Sequence, residues 1–152
     1  MKSEPFNQWL SNLFLVGNLQ QKSWNILLLI YRVALGTELF LVHGLKKLGI
    51  TTGVVEQIPN PFGLPTWLND GAILTANLVC PIFVILGLFT RFSSIPIWCV
   101  TLTGYLVIHA GDSLLVKDTP FMYSLSFIFL TFAGAGNYSL DYFLFSKSHY
   151  DE

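Results

Sequence analysis

Charge is what this chain has least of. Only 11% of its 152 residues are Asp, Glu, Lys or Arg, against about 25% in an ordinary soluble domain. The eight basic and nine acidic residues leave a net charge of −1. No basic surface is left for nucleic acid, and no acidic tail. Cysteine is almost as scarce. Cys80 and Cys99 form no CxxC pair, which excludes a disulfide framework and a cysteine-rich zinc cluster. A cleavable leader is also missing. The chain opens Met1-Lys2-Ser3-Glu4-Pro5, its first long apolar run begins near Trp24, and no small-x-small site follows that run. The whole chain is therefore expected in the mature protein, and its length suits one domain.

What fills the chain instead is apolar sequence. Hydrophobic residues make up 53% and aromatics 15%. Four long runs stand out, at about Trp24–Leu45, Ala72–Thr90, Ile95–His109 and Pro120–Ala135. At ~1.5 Å per residue, runs of this order match a hydrocarbon core ~30 Å thick, the last two with help from their flanks. They are continuous rather than alternating, and an open sheet edge cannot sit in lipid. The expected fold is all-α, a membrane-spanning four-helix bundle. Gly49–Pro65, with three glycines and three prolines, reads as a long loop. Thr90–Ser94 reads as a tight connection, and Ala110–Asp118 as an aqueous one.

Before the first run, Phe6, Trp9, Leu10, Leu13 and Phe14 recur on one helical face. Residues 1–23 are therefore expected as an interfacial segment with a short amphipathic helix. Residues 24–145 form the transmembrane domain and 146–152 a polar tail. Lys2, Lys22, Arg91 and Lys147 fall on one side of four spans, and Lys46, Lys47 and Lys117 on the other. That balance places both termini in the cytoplasm.

Arg32, Glu38 and His43 interrupt the first run. A charge at mid-bilayer costs about 2.5–3.5 kcal/mol, so three in one span need a bundle interior or a wet cavity. On a helical wheel Arg32 and His43 lie within about 20° of each other, with Gly36, Leu39 and Lys46 on the same stripe and Glu38 about 120° away. Gly36 admits close approach of another helix. His43 and His109 fall in one outer layer, near Lys46, Asp112 and Asp118. They are read either as helix-end hydrogen-bonding groups or as ligand contacts. Two histidines lack the third ligand that a metal site needs, so no metal is assigned. Arg32 and Arg91 are candidates for a structural ion pair with Asp141. Cys80 and Cys99 lie at similar depth, as a redox pair or as small residues at helix contacts.

Several motifs in register resemble the DoxX family. These are Arg32-Val33-Ala34-Leu35-Gly36 with Val42-His43-Gly44-Leu45-Lys46-Lys47-Leu48, then Pro61-Phe62-Gly63-Leu64-Pro65, Leu86-Gly87-Leu88-Phe89-Thr90-Arg91, His109-Ala110-Gly111-Asp112 and Gly134-Ala135-Gly136-Asn137-Tyr138-Ser139-Leu140-Asp141. Together they cover about residues 27–145. The sequence departs from the family where Asn77 replaces a second-span Glu, where Asp118 replaces a Glu before the fourth span, and where Asn137 replaces an Arg. The resemblance implies a small four-helix protein of the bacterial inner membrane, with quinone-linked sulfur oxidation and redox-stress complexes among its relatives. Arg32, Glu38, His43, Lys46, Asn77, His109 and Asp112 are the ligand-binding candidates. The leading expectation is a redox-associated subunit holding a quinone or another apolar molecule between its helices. No haem pair, flavin motif or iron–sulfur cysteine set accompanies them, so electron transfer would need a cofactor or a redox partner protein. A membrane scaffold, a minimal transporter-like bundle and a homo-oligomer stay open as alternatives.

Overall fold

The computed structural model describes residues 21–51 and 53–146, which leaves the expected amphipathic helix and the polar tail outside the described residues. Among the described residues every regular element is helical. Helix α1 spans Gln21–Lys47, α2 Thr66–Leu86 and α3 Thr90–Ile108, and each of the three is long and apolar enough to cross a membrane. Helix α4 spans Leu114–Ala133 and the short α5 Leu140–Ser146. The helices run up and down. One end of the bundle, the loop end, carries the 48–65 loop and the α3–α4 connection. The other, the turn end, carries the α2–α3 turn and the segment leading to α5.

Element boundaries follow local chemistry that apolar runs do not mark. Helix α2 begins after Pro65 and stops at Gly87, which adopts the left-handed conformation. The α2–α3 turn thus falls at Gly87–Phe89, and the expected connection Thr90–Ser94 is the first turn of α3. The reason is a cap from far along the chain. Asp141 accepts hydrogen bonds from the backbone N–H of Phe89 at 2.7 Å and of Thr90 at 3.3 Å, and holds Phe89 at a positive φ.

The polarity of the molecule is inverted. Large apolar side chains such as Leu27, Ile30, Phe92, Leu125 and Phe132 cover the outer surface. Asn25, Arg32, Asn77, Thr90, Ser94 and Ser124 are buried with the core residues Leu39, Val84, Ile97, Phe127 and Leu130. Most of the buried serine and threonine hydroxyls are satisfied within or between helices, although the Thr90 hydroxyl has no partner among the described residues. Ser94 and Ser124 donate to carbonyls four residues back, and the Thr101 and Ser124 hydroxyls meet at 2.8 Å. An apolar solvent asks for this arrangement, because unpaired polar groups facing it cost several kcal/mol each.

Close helix approach depends on two glycines. A Cβ at Gly36 would meet the Ile85 side chain at 2.8 Å, and one at Gly44 the Asn77 carbonyl oxygen at 2.5 Å. Asn77 O has no amide four residues on, since Pro81 stands there. It faces Gly44, and α2 widens into a π turn at Thr75–Val79. Helices α1 and α3 carry π turns as well, at Leu39–Gly44 and Gly104–Ile108.

Arg32 is 2% exposed and reaches the turn end. Its Nη1 donates to Val84 O at 2.9 Å and Ile85 O at 2.7 Å, and its Nη2 donates to Tyr138 O. The Val84 and Ile85 carbonyls lie at the end of α2, where intrahelical donors run out; Val84 O also accepts from the Gly87 N–H at 3.1 Å. No direct ion pair joins Arg32 or Arg91 to Asp141 among the described residues. Each charge finds backbone partners or open surface instead: Arg32 binds carbonyls, Asp141 binds amides across the same turn, and Arg91 lies exposed over Gly134.

Two outcomes follow. Gly44→Ala lowers the thermal midpoint in detergent more than Gly36→Ala, because a carbonyl cannot rotate away as Ile85 can; overpacking of this kind costs about 1–3 kcal/mol. Equal midpoints would contradict the close α1–α2 approach. Arg32→Lys destabilises as well, since one ammonium cannot reach three carbonyls and each lost charged hydrogen bond is worth about 1.5–3 kcal/mol. A Lys variant as stable as the parent would rule out the guanidinium as the clasp.

Candidate functional site

The three π turns surround one space. A cavity of about 430 Å³ at the loop end is lined by Leu39 and His43 from the first, Asn77 from the second, and Gly104 and Ile108 from the third. A π turn adds a residue to the helical circuit and re-aims the side chains around it, which is why such turns recur at functional sites. A Cβ at Gly104 would stand in ordinary van der Waals contact with the Pro120 ring of α4, at 3.8 Å. Lys46, Lys47, Glu56, Gln57, Thr101, His109, Thr119 and Tyr123 complete the polar part of the wall.

A second hollow of about 650 Å³ runs between α1 and α4. It is lined by Tyr31, Ala34, Leu35, Glu38, Val42, His43, Asp118, Thr119, Met122, Tyr123 and Ser126. These two helices are bridged by rings: Tyr31 on Phe129 at 5.8 Å, Trp24 on Phe129 at 6.4 Å, and His43 on Tyr123 at 5.2 Å, all edge to face. His43, Thr119 and Tyr123 line both spaces. The His43–Tyr123 pair is thus the wall between a lateral groove and the end cavity.

The candidate residues sort by place. His43, Lys46, Asn77 and His109 come together in the cavity. Glu38 faces the lateral groove. Asn77 holds its amide on Ile73 O at 2.8 Å. Asp112 bonds the His109 ring at 2.7 Å and orients it. Arg32 stands apart. It is eleven residues from His43, about 16 Å along the helix, with Nη1 and Nη2 donating at the turn end. Cys80 is buried in the core and Cys99 is exposed, and both are free, so the structure does not join them. Among the described residues no cluster of His, Cys, Asp or Glu could hold a metal ion.

Lys47, Glu56 and Tyr123 were not among the sequence candidates. Glu56 returns from the loop to bridge the end of α1, with Oε1 2.9 Å from Lys46 Nζ and Oε2 3.2 Å from Lys47 Nζ. Its sequence signal was a lone acid in an uncharged Gly/Pro-rich loop, nine residues after a lysine pair. Tyr123 was hidden in an apolar run.

Partial burial pushes the Glu56 carboxyl up, but hydrogen bonds and charge from Lys46 and Lys47 outweigh it and hold the group below its ordinary value of 4.5. Such a carboxylate contributes stability above the ordinary value and loses it as pH falls through the lowered folded-state value. In a ¹³C NMR titration the Glu56 carboxyl is expected to titrate below 4.5, and Lys47→Gln to move its midpoint upward. A midpoint unmoved by that substitution would show that the clamp does not hold in solution.

Comparison with known proteins identifies the family. The DoxX family profile matches residues 27–110. An uncharacterised protein of Haemophilus influenzae is 32% identical over 122 residues, covering 75% of this chain and 80% of the relative. No solved structure matches. Three helices fit to cross a bilayer, an inverted polarity and this family match lead to one conclusion: the chain is an integral membrane protein that belongs to the DoxX family.

Proposed function

We propose that this protein binds an amphipathic small molecule, with its apolar body in the groove between α1 and α4 and its polar head in the loop-end cavity. One observation carries the reading: His43, Thr119 and Tyr123 line both spaces, so the lateral groove adjoins the chamber along them. The groove offers Ala34, Leu35, Val42 and Met122 to an apolar body, and the chamber offers His43, Asn77 and His109 to a head. A pocket with an apolar lining and a few convergent polar groups is the usual form of a small-molecule site.

A quinone is the leading candidate within this class, and a redox-associated subunit the leading role. The support is the DoxX resemblance, joined to imidazoles that can hydrogen-bond a quinone carbonyl. Electrons would then pass to or from a partner protein. Helix α4 is proposed as the fourth crossing. Its exposed side chains from Phe121 through Met122, Leu125, Phe129 and Phe132 are apolar, and its polar Ser124 is buried. The lysine and arginine balance of the loops supports both termini on the cytoplasmic side of a bacterial inner membrane.

The test is extraction. Protein purified in a mild detergent is expected to carry a chloroform-soluble amphiphile near one per chain, identified by mass spectrometry. His43→Ala is expected to lower its occupancy about tenfold, the worth of one hydrogen bond with its ring contact. A parent protein that carries no such species, and whose titration with ubiquinone or menaquinone shows no saturable binding, would overturn the reading. Co-purification of a fixed protein partner without any amphiphile would favour a scaffold.

A further inference from the structure

The cavity wall carries unbalanced charge. Lys46 and Lys47 supply two cations to it and Glu56 one anion, while the Asp112 carboxylate, bonded to the His109 ring, is not part of the lining. The contacts are ordered. One oxygen of Glu56 meets each ammonium, at 2.9 and 3.2 Å. This is the geometry in which two lysines hold any oxyanion of carboxylate or phosphate type, and a residue of the chain itself demonstrates it. We propose that Lys46 and Lys47 are the binding site for the anionic head of a lipid-borne amphiphile, with Glu56 as its built-in competitor. The proposal rests on the amphiphile reading above, but it gives the head a negative charge in place of the neutral quinone.

Position supports it. Lys46 and Lys47 follow His43 by three and four residues, so the clamp lies about 5 Å beyond the wall shared by groove and cavity. A chain lying in the groove would bring its head to that level. The field has the right direction as well. Glu38 and Asp118 face the groove and the lysines face the cavity, so an anionic head is repelled from the groove and drawn to the clamp. The Lys47 side chain is only 15% exposed, which strengthens its pull relative to a lysine in water.

Exchange is also within the means of the loop. The Glu56 side chain is 34% exposed, so its carboxylate can pass to water without crossing the core. The loop that brings it back turns on Gly49 at φ +74° and Gly53 at φ +71°. At Gly49 a Cβ would strike the backbone N of Val55 at 2.9 Å, so the return of the loop to the lysines depends on that glycine.

Full-length protein in phosphatidylcholine nanodiscs is titrated with hexadecanoate, hexadecanol and hexadecylamine, and with inorganic phosphate as a free oxyanion. The readout is displacement of a fluorescent fatty acid. Hexadecanoate is expected to bind about tenfold tighter than hexadecanol, a modest charge-pair preference. Glu56→Gln raises the affinity for hexadecanoate and leaves hexadecanol unchanged. Lys47→Gln erases the preference, and Lys47→Arg, which keeps the charge, retains it. Tightest binding of the amine, or equal binding of acid and alcohol in both parent and Glu56→Gln, overturns the anionic head while the amphiphile reading stands. Phosphate competing as strongly as hexadecanoate would assign the clamp to a free oxyanion and overturn the lipid-borne version. If none of the three chains binds, the proposal falls, and the amphiphile reading falls with it only where the quinone titration is blank as well.

Discussion

A guanidinium buried against helix-end carbonyls organises one end of this bundle. Arg32 stands within a span, where an unpaired charge is expensive, and it answers that cost by donating to Val84, Ile85 and Tyr138. Those carbonyls come from the end of α2 and from the segment before α5. The neighbouring Gly87 is left-handed, and a Cβ there would meet both Arg32 and Ser139. Asp141 completes the arrangement from the other side by capping the start of α3 and donating its own N–H to Gly87 O at 2.9 Å. Asn25 adds a further tie, accepting from the Asn137 N–H at 3.0 Å. Helix α1, the α2–α3 turn and the C-terminal segment are thus set by charges acting on backbone dipoles.

The loop end is built differently. There α1 and α4 are joined by rings rather than by a shared charge, and the π turns widen α1, α2 and α3 around a common space. Packing energy that a closed bundle would gain at this level is given up for a cavity. A tight turn end thus holds the helices while an open loop end presents His43, Asn77, His109 and the lysine clamp to one chamber. The functional reading depends on this division, since the groove between α1 and α4 adjoins the chamber along His43, Thr119 and Tyr123.

Much of the fold was legible in the sequence because lipid imposes so simple a rule. Continuous apolar runs marked the helices to within several residues. The loop at 49–65 announced itself by glycine and proline, and Gly36 by its place on the Arg32 stripe. The boundaries at Gly87 and Thr90 were not legible, since the residue that caps α3 lies some fifty positions further on. The π turns were equally hidden. A wheel drawn at 100° per residue put Arg32 and His43 on one seam, and the structure spends them on opposite ends. The same periodicity could not show that Glu38 would face a groove while Lys46 faced a cavity.

The sequence by itself determined that this is a helical membrane protein of the DoxX family, that its first span carries polar residues needing an interior, and that His43 and His109 share a layer. These properties follow from residue order and hydropathy, which act locally along each helix. Only the tertiary structure decided that Arg32 clasps carbonyls, that Asp141 caps a helix, and that Glu56 returns to bridge Lys46 and Lys47. Each of those depends on groups far apart in the chain meeting at helix ends. Which partner a buried charge takes is settled by the nearest unsatisfied dipole or ion, and its position is a property of packing.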